Sequence, residues 1–184
     1  MAIHQKGKCT DVNNALDGDG PFSVERAGQL PSGDWLRFVL ANSENPQGLQ
    51  KRLTGRGGIV AHLGSNDLKL IGEAISDFLA NRQSRSNMDG SRCLLVVRAM
   101  CYQVAKAISA LAAVVGGRVD GVVLTGGLAW DQRIVQEIGE RVGFLGPLLV
   151  FPGENEMEAL ALAACGALAG TEPIREYAEA ASRL

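Results

Sequence analysis

The stretch VDGVVLTGGLAWDQRIV, residues 119–135, decides the fold. Val119–Leu124, apolar but for Asp120 and Gly121, reads as a strand covered on both faces. Two glycines follow, Gly126 and Gly127, and residues 129–142 then place Ile134, Val135, Ile138 and Val142 at helical spacing. Leu148–Phe151 repeats the strand signal, and Pro152-Gly153 turns into NEMEALALAACGALAG, residues 155–170. Strand, helix, strand, helix with short joints is a βαβα unit on a parallel sheet. The glycine pair admits two readings: the tight turn a strand needs to become a helix, or a place where a ligand approaches the backbone. Spacing alone leaves both open.

Working outward, AIHQKGKCTDV (residues 2–12) reads as a β-hairpin about Lys6-Gly7. The Gly-, Pro-, Asp- and Asn-rich residues 13–34 form a loop of a length usually functional or disordered. Ser32 is placed to cap a short helix carrying Trp35, Leu36, Val39 and Leu40. After GRGGIVAHLGSND, Asp67 opens an amphipathic helix with Leu68, Ile71, Ile75, Phe78 and Leu79 on one stripe. The polar NRQSRSNMDGS reads as a linker, and a long apolar helix runs from about Cys93 to Val115, stopping at Gly116-Gly117. Arg98 and Lys106 interrupt that apolar run, so a buried helix explains it better than a membrane span. Neither an internal repeat nor a second compositional domain is found.

The 184 residues have an ordinary globular composition, 46% hydrophobic and 21% charged, with a formal net charge of -2. That balance gives no electrostatic footprint for nucleic acid or an anionic membrane, and 5% aromatics leave little for base stacking. Cys9, Cys93, Cys101 and Cys165 are scattered without a CxxC, and His4 and His62 are the only histidines. Reduced thiols in a cytoplasmic protein fit this better than zinc or a disulfide framework.

Ligands of open parallel sheets bind beyond the carboxyl ends of the strands. Two loops meet that description here: Thr125-Gly126-Gly127 and Pro152-Gly153-Glu154-Asn155-Glu156. Neither a Walker motif nor a GxGxxG after a strand is present. Glu154, Glu156 and Glu158 crowd the start of the last helix, where the dipole favours acids; one reaching a site would hold Mg²⁺ through water. Arg26 in the glycine-rich loop is either a solvated charge or a fork for a transferring phosphoryl group. His62, between Ala61 and Leu63, reads as a core or loop histidine, and Trp130 as packing or as the border of a base.

DVNNALDGDGPFSVERAG, GRGGIVAHLGSND, VVLTGGLAWD and FPGENEMEALALAA together, in this order, resemble the C-terminal half of the butyrate kinase family. That family lies within the acetate kinase group of the actin/sugar-kinase/Hsp70-like superfamily. The resemblance implies a ribonuclease H-like (actin-like ATPase) α/β lobe. It also implies reversible phosphoryl transfer between ATP and butyrate, giving butyryl phosphate and ADP with Mg²⁺. By motif position, Gly126, Gly127 and Leu128 would form the adenosine turn, with Asp131 beside it. Asp67 and Leu68 would border the nucleotide, Arg26 would stabilise the phosphoryl group in flight, and Glu156 would stand near Mg²⁺.

Family members carry a preceding lobe with phosphate loops and further acyl-phosphate contacts, whereas Met1 falls inside the hairpin. The expectation is therefore a C-terminal lobe that binds nucleotide and needs a separate N-terminal lobe for chemistry, since transfer depends on positioning by both. The family's dimer contacts imply a homodimer. Rival readings are a non-catalytic nucleotide-binding or dimerisation module, and a kinase for acetate, propionate or a branched acid.

Overall fold

The structure, a computed structural model, describes residues 1–174. Its elements are β1 (Ala2–Gln5), β2 (Lys8–Val12), α1 (Ser32–Ala41), α2 (Pro46–Leu53), α3 (Gly58–Leu63) and α4 (Leu68–Leu79). They continue with α5 (Gly90–Ala112), β3 (Val122–Gly126), α6 (Gln132–Val142), β4 (Leu148–Pro152) and α7 (Glu156–Leu168). β1 and β2 form the expected hairpin, antiparallel with Ala2 opposite Val12. β3 and β4 pair in parallel, Val122 beside Leu148 and Gly126 beside Pro152, so the βαβα unit is present.

The core is built on α5. Cys93, Val96, Val97, Met100, Cys101 and Ala105 recur every three or four residues and are all buried. Such spacing puts them on one face of a helix. Against that face pack Ile71, Ala74 and Ile75 of α4, Ile59 of α3, and Ile134, Ile138 and Val142 of α6. Each large aliphatic side chain fully buried here contributes roughly 1.5–3 kcal/mol. By length and composition Gly90–Val115 could cross a membrane; its buried stripe makes it the central helix of this core instead.

Asp89 caps α5, accepting from the amides of Ser91 and Arg92 at 2.9 and 3.2 Å, so the helix begins three residues before Cys93. That contact with Ser91 and Arg92 also holds the Asp89 carboxyl below its usual range, against the opposing effect of burial. Asp67 caps α4 in the same way, at 3.0 and 3.1 Å from the amides of Lys69 and Leu70.

Several expectations are corrected. β3 starts at Val122, not Val119, and among the described residues only one of its faces is covered: Val123 is 56% exposed and its partner Leu149 on β4 is 45% exposed. Ser32 lies inside α1, whose N-cap is Pro31 without a side-chain bond. Phe78 and Leu79 leave the α4 stripe for solvent, and Asp77 takes the buried place. The short helices α2 and α3 carry no long apolar period and are invisible to periodicity. The long loop is ordered by the residues around it: Phe22 is buried, and the amides of Ala27 and Ile59 bond the carbonyls of Leu53 and Ser23 at 2.9 and 3.0 Å.

Candidate nucleotide cleft

At the carboxyl end of β3 the chain makes the turn in question. Gly126 has φ 86° and ψ -179°, a conformation essentially reserved for glycine. Its N–H and C=O pair with the C=O and N–H of Gly153 at 3.1 and 3.2 Å, so the two strand-end loops are stitched together. Gly126 is therefore needed by the turn itself. Gly127 differs. Its φ is not positive, and a Cβ built on it would meet nothing within 4 Å. The fold does not require a glycine at 127; the open space in front of it is a cleft.

That cleft, about 730 Å³, opens between α4 and the turn into α6, within the size range of small-molecule sites. Leu68, Lys69, Gly72 and Glu73 line one wall; Gly127, Leu128, Trp130 and Asp131 line the other, with Arg133 and Arg85 at the margins. Trp130 is 69% exposed, which corrects its reading as a packing residue and leaves it bordering the cleft. Lys69, Arg85 and Arg133 line the cleft with Glu73 and Asp131, and two of these cations are paired, Arg85 with Asp77 and Arg133 with Asp131.

Both aspartates singled out in the sequence are helix caps. Asp67 closes the N-terminus of α4, and Asp131 that of α6 through the Arg133 amide at 2.9 Å. Each thereby fixes the helix start that forms one wall of the cleft. Asp131 also pairs with the Arg133 side chain.

Arg26 and Glu156 stand apart from the cleft lining. Arg26, half-buried, makes an isolated backbone bridge with Thr54, and no hydrogen bond or ion pair of its guanidinium occurs among the described residues. Its neighbour Glu25 accepts from Asn66 Nδ2 at 2.7 Å, which ties the Arg26 loop to the segment leading into Asp67. Glu156 opens α7 and is exposed, as are Glu154 and Glu158. Among the described residues no group of three or more His, Cys, Asp or Glu side chains is arranged to hold a metal ion. His62 is exposed on α3, its ring 5.9 Å from that of Phe22, not in the core.

Three residues absent from the sequence reading matter here. Asp77 is 1% exposed, sealed under Arg82 and Arg85 at 3.3 and 3.4 Å. Burial pushes its carboxyl up, but the hydrogen bonds and charge of Arg85, with the charge of Arg82, prevail and hold it below the usual range. The pair anchors Arg85 at the cleft margin. An acid on the otherwise apolar α4 stripe was the available signal. Arg133 had a fainter one, the Asp-x-Arg spacing at a helix start. A smaller cavity of about 210 Å³ between α1 and α2, lined by Phe38, Asn45, Arg52 and Arg56, lies away from the strand ends.

No family model matches the chain. Over 177 residues, 96% of this chain, it is 44% identical to a probable butyrate kinase of Bacteroides thetaiotaomicron. It is 40% identical over the same length to butyrate kinase 2 of Clostridium acetobutylicum. The chain resembles butyrate kinases. It spans about half the length of these relatives, 47% of each. Among solved structures it is similar to the acetate kinase of Porphyromonas gingivalis, with TM-score 0.71 and 20% identity over 89% of this chain and 45% of that one. A propionate kinase from Francisella tularensis follows at TM-score 0.65 and 17% identity, covering 85% of this chain and 44% of that one. The fold is that of the acetate kinase group, as the resemblance implied.

Proposed function

We propose that this chain is the C-terminal, nucleotide-binding lobe of a butyrate kinase, residues 1–184 forming one lobe. The observation that carries the reading is Gly127: a glycine that its own backbone does not need, facing an open cleft at the end of a parallel strand. The relatives' names supply the reaction, in which a butyrate carboxylate oxygen attacks the γ-phosphorus of ATP and ADP leaves. Leu68 and Leu128 offer apolar walls to the adenine, Trp130 an edge, and the bare backbone at Gly126-Gly127 allows close approach. Asp67 and Asp131 hold those walls in place. Arg26 would stabilise the phosphoryl group during transfer, as a guanidinium fork can. Mg²⁺ would neutralise phosphate charge when bound, and by motif position Glu156 would be the carboxylate that helps hold it.

The acid-binding half of the reaction is assigned to the N-terminal part of the longer relatives, which this chain does not span, and the working protein is read as a cytoplasmic homodimer. Butyrate is favoured over acetate or propionate by the names of the relatives alone. A methylene in an apolar pocket is worth only about 1–3 kcal/mol. The test is phosphoryl transfer from ATP to butyrate, acetate and propionate, by the 184-residue chain alone and mixed with the N-terminal half of the Clostridium relative. Turnover that appears only on mixing, and is fastest with butyrate, supports the reading. ATP binding with no turnover in any mixture favours a non-catalytic nucleotide-binding module.

A further inference from the structure

The Arg133 side chain crosses from the first turn of α6 to the middle of α4. Its Nη1 donates to the Gly72 carbonyl at 2.9 Å and to Ser76 Oγ at 3.2 Å. Nε donates to Asp131 Oδ1 and Nη2 to Asp131 Oδ2, each at 3.4 Å. Most of the five guanidinium N–H groups are thus committed to protein atoms.

Gly72 provides the seat, since a Cβ there would lie 2.5 Å from Arg133 Nη2. A glycine inside a helix weakens it relative to alanine, and α4 is otherwise well capped and well patterned. Room for the guanidinium accounts for the exception. Both α4 and α6 pack on α5, and the cleft lies between them. Arg133 is a direct strut across that gap.

We propose that Arg133 is a positioning residue. Its fork sets the spacing between the Leu68–Lys69 end of α4 and the Gly127–Leu128 turn, and it fixes the Asp131 carboxylate, so the cleft is preformed for its ligand. The ligand's identity as a nucleotide rests on the proposed function; the strut does not. Lysine cannot replace it, because an ammonium lacks the planar fork that reaches helix and carboxylate together.

The test measures two things side by side on the 184-residue chain and its Gly72→Ala and Arg133→Lys variants: amide hydrogen exchange at residues 127–133, and the ATP dissociation constant. Gly72→Ala has to displace only the far end of a flexible side chain, so the variant is expected to melt no lower than the parent. Exchange at 127–133 should accelerate while α5 amides stay unchanged, and ATP should bind about tenfold more weakly, because the ligand must then order walls that the strut had held in place. Arg133→Lys should do the same. Unchanged exchange at 127–133 in both variants overturns the proposal, whatever happens to ATP. Accelerated exchange in a chain whose parent form does not bind ATP upholds the strut and removes the nucleotide reading.

Discussion

α5 and α7 are both apolar helices, and the fold treats them in opposite ways. α5 turns a stripe of Cys93, Val97, Met100 and Cys101 into the centre of the core, with Arg98 and Lys106 left outside it. α7 has no buried residue: Met157, Leu160, Leu162 and Leu168 are 79%, 64%, 66% and 89% exposed. Composition does not separate them. The difference is pattern, because a striped helix can be satisfied by partners on one side, whereas a helix apolar all round needs cover on several. In the described residues that cover exists around α5, where α3, α4 and α6 converge. The outer face of β3 and β4, with Val123 and Phe151, sides with α7.

The contrast is sharpest at two thiols. Cys101 on α5 is fully buried, and burial, with the nearby Glu137 charge, pushes its thiol up to about 11. Only about one in a thousand of its molecules would be ionised at pH 8, and the thiolate is the reactive form. Cys165 on α7 is exposed. A disulfide-exchange reagent at pH 8 should therefore label Cys165 and Cys9 at once, and reach Cys93 and Cys101 only after urea is added. Prompt labelling of Cys101 would break the comparison.

Side-chain truncation is the next largest effect. Met100→Ala should cost about 2–5 kcal/mol in urea unfolding, and Leu160→Ala no more than about 0.5 kcal/mol, as at an ordinary surface position. Equal costs would mean that α7 is covered in solution. The cleft belongs to the packed side, so its ligand should ignore α7. Gly127→Val should weaken ATP binding by about 10- to 100-fold, the 1–3 kcal/mol typical of overfilling a site, with the melting temperature nearly unchanged; Leu160→Ala should leave ATP binding alone.

The smallest effect is in acid. The folded-state carboxyl of Asp77 titrates below its ordinary value of 3.8. Its stabilising contribution is therefore complete above that value and fades as pH falls through the lower, folded one. Stability measured from pH 6 down should show an added loss below about pH 4 that Asp77→Asn abolishes.

The same contrast explains what the sequence could reveal. Elements with a stripe, a cap or a turn dipeptide were legible: α4 from Asp67 and its period, α5 from its apolar run, the hairpin from Lys6-Gly7, and the βαβα order from residues 119–170. Strand limits were not, since Val119 and Asp120 are apolar or polar without being paired. Of the residues the sequence singled out, Leu68, Gly127, Leu128 and Asp131 share the cleft lining, whereas Arg26 and Glu156 lie outside it. Arg133 and Arg85 were missed because their roles are set by partners 61 and 8 residues away, Gly72 and Asp77. The local signals, an acid on the α4 stripe and the Asp-x-Arg spacing at α6, do not name those partners.

The central claim is that the cleft at Gly127 receives a nucleotide, and titration of Mg-ATP into the 184-residue chain tests it most directly. Calorimetry would be run beside tryptophan fluorescence in a Trp35→Phe background, which leaves Trp130 at the cleft edge as the sole reporter. The account predicts saturable binding with a matching change in Trp130 emission, both lost in Gly127→Val. Heat of binding without any Trp130 response, or no binding at all, would contradict it and return Gly126-Gly127 to the role of a turn.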